Sequence, residues 1–378
     1  MIDGIFTKKL KIMIKIFIQC ISLKKLNYKN FLEVKLKKIL LFITLFLIGT
    51  VILANSNSKN NTLYIYNWAE YIPEDVYAEF QKEFGVKIVE DTYSTNEELF
   101  TKLKAGGDGY DIVIPSADYY EIMIKENMLE KLNKDKISTF SNIDEDILKK
   151  VQDFDPNNDY GVPYVIGPTI IAVNTKYVTD YPEDFSIFER KDLKGKMTLL
   201  DDMRELMTSA LAIDGHSQTT KEEKDIAAAA ERIKGWKKNI AKFDSESFGK
   251  GFANGDFWVV HGYIDNILRE LDEEGLKNTK FILPKIGGTS YIDSMVILKS
   301  APNKDLAHKF IEFIHRPEVY ARIADYLDAP SLNTKAREYM KTTPTFSIEE
   351  VKNAIILRDI NDSLELQNQY WEEILLSN

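Results

Sequence analysis

Aromatic and acidic residues recur together near the ends of the predicted strands. In an open α/β sheet, ligands bind beyond the carboxyl ends of the strands, so these side chains could converge on one site. Ring faces attract cations and cover methylene groups, while carboxylates accept charge-assisted hydrogen bonds from ammonium groups. The pattern favours a flexible alkyl chain with separated ammonium groups, although any one member alone is more often ordinary packing. The candidate residues are Trp68, Glu70, Tyr71, Ser116, Asp118, Asp202, Glu205, Tyr263, Tyr291 and Asp293.

The short motifs that resemble catalytic or metal sites are incomplete. Residues 106–109 (GGDG) lack the Lys-Ser/Thr of a phosphate loop and predict a turn. Asp155, Asn157 and Asp159 resemble the start of a calcium loop, but Tyr160 stands where that loop needs glycine. The four histidines are scattered without metal-ligand spacing. We therefore expect no catalytic residue, no metal and no cofactor.

Residues 1–54 predict a targeting segment. They contain ten lysines against only Asp3 and Glu33, and residues 39–53 are almost purely apolar. A cationic stretch followed by an apolar one is typical of a secretory signal, here with cleavage after Ala54. A retained membrane anchor remains an alternative, because the apolar run approaches the length that crosses a bilayer. We expect a periplasmic or otherwise extracytoplasmic protein.

The remainder of the chain is acidic and long enough for two lobes. It holds 39 of the 49 basic residues and 57 of the 59 acidic ones, a balance of −18. Such a charge repels nucleic acid. The only cysteine, Cys20, lies in the leader, so we expect neither a disulfide nor thiol chemistry in the mature protein. From Leu63 onward, strand and helix periodicities alternate, which predicts an α/β fold divided into two lobes.

The predicted elements place the candidate residues. Pro73 suits the first turn of a helix that Gly85 ends, and Thr95 with Glu98 forms a capping-box pattern before the next helix. Tyr291 and Asp293 would precede the last of the predicted site strands. Those strands cover residues 63–66, 112–114, 170–173, 197–200, 258–260 and 295–298.

Five motifs resemble those of the spermidine/putrescine-binding proteins of bacterial polyamine transporters, and they occur in the family's order. The resemblance implies a type II periplasmic-binding-protein fold with a ligand cleft between its lobes. Lobe 1 would comprise residues 60–166 plus 292–334, and lobe 2 residues 167–291 plus 335–378. The five motifs are residues 66–73 (YNWAEYIP), 110–116 (YDIVIPS), 154–164 (FDPNNDYGVPY), 200–205 (LDDMRE) and 287–294 (GGTSYIDS).

The resemblance also implies a role for most of the candidate residues. Glu70 stands where some family members have an acidic contact. The remaining roles are an aromatic wall for Trp68 and Tyr71, a polar contact for Ser116, carboxylate contacts to amino groups for Asp202 and Glu205, a second ring for Tyr291, and a central anion for Asp293.

The chain departs from the family pattern at several of these positions. Tyr263 and Tyr291 stand where the family often has tryptophan, and Asp118 replaces a tyrosine or serine. Fewer indole rings weaken cation–π attraction, while Asp118 adds a carboxylate. Asp202 favours spermidine and Leu357 favours putrescine, so the polyamine stays open.

The resemblance implies a monomer that binds a polyamine and a membrane permease of an ABC transporter, and that performs no reaction. Two alternatives remain open. One is a secreted hydrolase with Asp202 and Glu205 as its carboxylate pair, although no nucleophile or metal motif accompanies them. The other is a binding protein for another cationic solute or an amino acid. An amino acid would need a cation in the cleft, which Arg204 supplies only if it turns inward.

Overall fold

The computed structural model describes residues 61–107 and 109–377. The predicted targeting segment and Cys20 lie outside these residues. Within them, no helix combines the length and apolarity needed to cross a membrane.

Strands and helices alternate through the described chain, as the hydrophobic periodicity predicts. The strands are β1 Thr62–Trp68, β2 Lys87–Tyr93, β3 Ile112–Val113, β4 Gly161–Asn174, β5 Met197–Leu199, β6 Lys242–Phe243, β7 Val259–Tyr263, β8 Thr279–Ile282, β9 Thr289–Ile297 and β10 Ile355–Ile356. The helices are α1 Glu74–Phe84, α2 Asn96–Lys104, α3 Ala117–Lys125, α4 Glu145–Val151, α5 Met203–Ile213, α6 Glu223–Lys237, α7 Phe248–Ala253, α8 Ile264–Leu268, α9 Glu273–Lys277, α10 Lys304–Ile314, α11 Pro317–Leu327, α12 Ile348–Lys352 and α13 Leu364–Leu376. Short 3-10 helices cover Lys134–Lys136, Ser138–Asn142, Phe185–Glu189, Lys191–Leu193, Ala336–Tyr339 and Asn361–Ser363.

The strands form a mixed sheet in the order β2-β1-β3-β9-β4-β7-β5-β6, with β10 beside β9 and β8 beside β4. At one side β1 runs parallel to β2 and β3, and at the other β5 runs parallel to β6 and β7. The long antiparallel pair β4–β9 joins these two sets. The side chains that follow the parallel strands therefore meet near the middle of β4 and β9.

Two hydrophobic clusters support the two sets of strands. One surrounds β1, β3 and the central part of β4 and β9, and α10 and α11 pack against it. The other lies between β5, the start of β7, and helices α5 and α6. The α/β class predicted from the periodicity is confirmed, and the exact lobe boundaries stay a prediction.

Local signals explain where the first helices begin and end. Pro73 directly precedes α1, and Gly85 ends it in the left-handed conformation with φ 64°. The hydroxyl of Thr95 accepts a 3.1 Å hydrogen bond from the Glu98 backbone N–H at the start of α2. The Glu98 carboxylate binds the Ser94 N–H rather than the Thr95 N–H, so the predicted capping box forms only in part.

Several expected strand ends were wrong. Trp68 and Tyr263 do not follow their strands but are the last residues of β1 and β7, because both strands are longer than their apolar runs. Tyr291 and Asp293 do not precede a strand but lie inside β9. The continuous apolar run at 295–298 marks only the last part of β9, because the first half of the strand contains polar residues although it is mostly buried. Thr289, Tyr291 and Asp293 share one face of β9 by the two-residue period of a strand. The crossing strand itself thus carries part of the site.

Candidate functional site

Asp293 lies in the middle of the crossing strand β9 and is buried, with 3% of its surface exposed. Its Oδ2 atom accepts a 2.5 Å hydrogen bond from the hydroxyl of Tyr71. Its backbone forms an antiparallel bridge with Ser116, the residue before α3. In the described part of the chain, Oδ1 of Asp293 is buried without a hydrogen-bond partner. A buried carboxylate oxygen of this kind calls for a cation or a donor from outside the chain.

The environment of Asp293 places its titration near neutral pH. Burial raises the pKa of Asp293 to about 7, although the neighbouring Ser116 and Tyr71 lower it. The negative charges of Asp118 and Asp265 add to the increase. An ammonium group beside Asp293 would favour its ionised form and lower this pKa again.

Three tyrosines line the space next to Asp293. The rings of Tyr263 and Tyr291 lie 5.9 Å apart at 81°, and the ring of Tyr71 packs edge-on against Tyr164 at 5.5 Å. Burial raises the pKa of Tyr71, Tyr263 and Tyr291 well above the ordinary value, and nearby carboxylates raise it further. All three therefore remain neutral phenols that present ring faces and hydroxyl groups.

A glycine on β4 makes room for one of these rings. A Cβ atom built at Gly167 would lie 2.2 Å from the hydroxyl oxygen of Tyr291, which is far inside contact distance. Tyr71, Asp265, Tyr291 and Gly167 also line a pocket that Ala329 borders. Because Gly167 has no side chain, the Tyr291 ring can lie directly over it.

Trp68 contributes less directly. Its indole N–H donates a 2.9 Å hydrogen bond to the Ile114 carbonyl, and its ring packs 4.6 Å from that of Tyr93. The side chain is half-buried at the end of β1. These contacts fix the ring beside the strand ends, where a face remains partly accessible.

Asp202 and Glu205 lie at the start of α5. Asp202 caps the helix, accepting a 3.1 Å hydrogen bond from the Glu205 N–H. The two carboxylate oxygens of Glu205 accept hydrogen bonds from the hydroxyls of Thr169 on β4 and Thr289 on β9. Burial and the charge of Asp202 raise the pKa of Glu205 to about 8, although the two threonines lower it. Glu205 therefore ties the helix to both crossing strands.

Asp118 lies in the first turn of α3 and faces a cation of the chain itself. Its Oδ2 atom is 3.3 Å from Nη1 of Arg204 on α5, and both residues are buried. Burial raises the pKa of Asp118 to about 6, although the Arg204 charge lowers it. The guanidinium also lies 5.2 Å from the centre of the Tyr119 ring.

Glu70 lies at the rim rather than beside Asp293. It has φ 55°, it is exposed, and its carboxylate is 2.9 Å from Nη1 of Arg269. Nη2 of the same guanidinium is 2.7 Å from Asp265, which lies one turn earlier. Glu70 is thus paired with Arg269, a cation of the chain itself.

The structure brings most of the candidate residues into small groups of side chains in contact. Tyr71, Ser116 and Asp293 are in direct contact, Tyr263 packs on Tyr291, and Asp202 caps the helix that carries Glu205. Sequence reasoning did not predict the contacts of five further residues near these groups, which are Thr169, Gly167, Thr289, Arg204 and Arg269. Arg204 was named only as a cation that could turn inward, Thr289 lies in the 287–294 motif, and Arg269 follows Asp265 at a helix-pair spacing. Nothing in the sequence singled out Thr169 or Gly167.

The calcium-like segment has a structural role. Asp155 accepts hydrogen bonds from the hydroxyl of Tyr120 and from the backbone N–H groups of Asp159 and Tyr160. Its oxygens therefore stabilise a turn before β4. Among the described residues, no cluster of three or more His, Cys, Asp or Glu side chains is arranged to hold a metal ion.

Comparison with known proteins agrees with this architecture. The family model of bacterial extracellular solute-binding proteins matches residues 75–350. The spermidine/putrescine-binding periplasmic protein of Escherichia coli K12 is 36% identical over 327 residues, which cover 83% of this chain and 92% of that protein. The structure of a Treponema pallidum PotD lipoprotein has a TM-score of 0.81 and 39% identity, covering 83% of this chain and 99% of the other. The structure of a Streptococcus pneumoniae spermidine/putrescine transporter substrate-binding protein has a TM-score of 0.73 and 25% identity. That match covers 84% of this chain and 98% of the other. The chain therefore has the two-lobed fold of periplasmic binding proteins and belongs to the bacterial extracellular solute-binding protein family, as a relative of its spermidine/putrescine-binding members.

Proposed function

We propose that this protein captures a polyamine outside the cytoplasmic membrane and delivers it to the permease of an ABC importer. The observation that carries the proposal is the buried carboxylate of Asp293. One of its oxygens is held by Tyr71, and the other has no partner among the described residues. A carboxylate in this position gains most from a cation that can also donate a hydrogen bond, and an ammonium group does both.

The surroundings of Asp293 fit the rest of a polyamine. The rings of Tyr71, Tyr263 and Tyr291 can cover methylene groups, and their faces attract cations. Asp202 supplies a second carboxylate at the start of α5. A monovalent cation could pair with only one of these two carboxylates, so together they favour a ligand with more than one charge.

Transport rather than catalysis is the proposed outcome of binding. The carboxylates that a hydrolase would need, Asp202 and Glu205, accept hydrogen bonds from the Glu205 N–H and from two threonine hydroxyls. Glu205 in particular is committed to holding α5 against β4 and β9. No reaction is therefore proposed, and the ligand would leave the site unchanged.

The wider proposal concerns location and assembly. The names of the relatives place them in the periplasm, and the leader of this chain has the charge pattern of an export signal. We propose an exported monomer without affinity for nucleic acid, because residues after the leader carry a balance of −18. Closure would bring lobe 1, residues 60–166 plus 292–334, against lobe 2, residues 167–291 plus 335–378.

Calorimetric titration of the purified protein tests this proposal. Putrescine, spermidine, arginine and sodium chloride are titrated separately, and the bound ligand is recovered and analysed. Saturable binding of a polyamine, with the ligand recovered intact, would support capture without chemistry. Binding of arginine but of neither polyamine would assign the site to another solute. Recovery of a cleaved ligand would support the hydrolase alternative instead.

A further inference from the structure

The guanidinium group of Arg204 occupies a position suited to a ligand ammonium group. Arg204 is 9% exposed, its Nη1 atom is 3.3 Å from Oδ2 of Asp118, and its guanidinium carbon is 5.2 Å from the centre of the Tyr119 ring. A carboxylate beside an aromatic face is the same combination that Asp293 and Tyr71 offer at the centre of the site. We call Asp118 and Tyr119 the outer seat, and the chain fills this seat with its own cation.

The charge of Arg204 balances the acidic residues around the outer seat. Burial lowers the pKa of Arg204, but the charges of Asp118, Glu97 and Asp202 outweigh burial and raise it. Arg204 therefore stays charged in its buried position. A second cation brought to the outer seat would lie beside a like charge in a poorly solvated space, which is unfavourable.

The centre of the cleft keeps carboxylates that no cation of the chain contacts. In the described residues, Asp202, Glu205 and Asp293 form no ion pair with lysine, arginine or histidine within 4.0 Å. Glu205 holds the hydroxyls of Thr169 and Thr289, and burial favours its protonated form at neutral pH. Asp202 and Asp293 are then the two anions left for a ligand.

The other end of the cleft is neutralised in the same way. Arg269 lies 2.7 Å from Asp265 and 2.9 Å from Glu70, so these two carboxylates also have a partner from the chain. Asp118, Asp265 and Glu70 are therefore each paired with an arginine of the chain, and within the described residues Asp202 and Asp293 are not. Two free anions match two ammonium groups.

Building on the proposed function, we propose that Arg204 is a specificity-determining residue. By filling the outer seat of Asp118 and Tyr119, its guanidinium excludes a third ammonium group, so that the cleft takes a diamine in preference to a triamine. Arg204 would act on the choice between ligands rather than on the affinity for polyamines in general.

The test compares putrescine and spermidine affinities by calorimetry on protein purified after expression of the full-length chain. Three variants are compared with the unmodified protein. Arg204→Met frees Asp118, Asp118→Asn combined with Arg204→Met removes the whole pair, and Arg322→Met removes an exposed guanidinium that pairs with Asp75 and Glu79. We expect the unmodified protein to prefer putrescine, and Arg204→Met to shift the affinity ratio toward spermidine by at least about tenfold. The double variant should lose this shift, and Arg322→Met should leave the ratio unchanged.

Each outcome distinguishes the inference from the proposed function. An unmodified protein that binds neither polyamine would overturn both. Polyamine binding with the same ratio in the unmodified protein and Arg204→Met would overturn the role of Arg204 alone. Arginine binding that Arg204→Met abolishes would mean that Arg204 serves a ligand carboxylate, which also contradicts the inference. If Arg204→Met does not fold, the variant Asp118→Asn is measured instead. It leaves the Arg204 guanidinium without its carboxylate partner, so spermidine binding should weaken more than putrescine binding. An equal loss of affinity for both polyamines would contradict the proposal.

Discussion

The hydroxyl of Tyr71 donates a 2.5 Å hydrogen bond to Oδ2 of Asp293, although 222 residues separate the two in sequence. The bond joins the loop after β1 to the middle of the crossing strand β9. It fixes the orientation of the Asp293 carboxylate, whose other oxygen is buried without a hydrogen-bond partner among the described residues. The proposed polyamine site is thus organised around one preoriented carboxylate.

Removal of the Tyr71 hydroxyl should weaken the ligand site without abolishing it. In Tyr71→Phe the ring remains, but Asp293 loses its hydrogen bond, so we expect polyamine affinity to fall about three- to tenfold. Because the hydroxyl lowers the pKa of Asp293, the variant should also need a higher pH for full affinity. Calorimetry at pH 7 and pH 8.5 measures both effects. An affinity equal to that of the unmodified protein at both pH values would show that this hydrogen bond does not matter for binding.

Polyamine affinity should increase with pH between about 6 and 8.5. Burial raises the pKa of Asp293 to about 7 and also raises that of Asp202, so at the lower end of this range a proton competes with the ligand ammonium. Each carboxyl that must ionise reduces affinity by up to about tenfold per pH unit below its pKa. Titrations at pH 7 in two buffers of different ionisation enthalpy should reveal proton release on binding. Proton uptake, or an affinity independent of pH, would contradict this assignment.

The ligand-free protein should lose stability as pH rises through the same range. Burial raises the folded-state pKa of Asp118 to about 6, of Asp293 to about 7 and of Glu205 to about 8. The folded state therefore binds more protons than the unfolded state above the ordinary carboxyl pKa, so the free energy of unfolding decreases with pH until these groups have ionised. Urea unfolding at pH 5.5, 7 and 8.5 measures the slope. Saturating polyamine should reduce or reverse it, because the ligand compensates the ionised carboxylates.

Gly167 should tolerate no side chain without loss of binding. A Cβ atom there would lie 2.2 Å from the Tyr291 hydroxyl, so Gly167→Ala must displace that ring, and we expect affinity to fall at least about tenfold. Gly235 in α6 is a matched control, because a Cβ atom there has no neighbour within 4 Å. Gly235→Ala should leave binding unchanged and raise the free energy of unfolding by about 0.5–1 kcal/mol. Unchanged affinity in Gly167→Ala would mean that the Tyr291 ring position is not required.

Much of the fold could be predicted because its signals are local. Proline before α1, glycine after it and the Thr95 cap all act within a few residues. The crossing strands were underestimated: β4 was predicted only at 170–173, yet it spans Gly161–Asn174. Its first eight residues include Pro163, Gly167 and Pro168, which normally indicate a break. Burial between neighbouring strands outweighs those local preferences here, and no local signal reports such burial.

Which residues contact a ligand stays a prediction, whereas the structure shows which of the predicted residues contact one another. The family motifs supplied the candidate residues, and the strand-end rule placed Tyr71 and Ser116 near each other, but Asp293 joins them from the middle of β9. The pairing of Arg204 with Asp118 depends on how α5 meets α3, which no sequence spacing encodes. Glu70 remains a prediction as a ligand contact, since its carboxylate is engaged with Arg269.

The most direct test of the account is the polyamine affinity of Asp293→Asn, a variant that keeps the shape of the side chain and removes its charge. Calorimetry should show a loss of at least about 100-fold relative to the unmodified protein, because a buried carboxylate–ammonium pair would be broken. Asp305→Asn, which removes an exposed carboxylate paired with Lys136, should bind normally. A folded Asp293→Asn protein that binds polyamines as tightly as the unmodified protein would contradict the central claim.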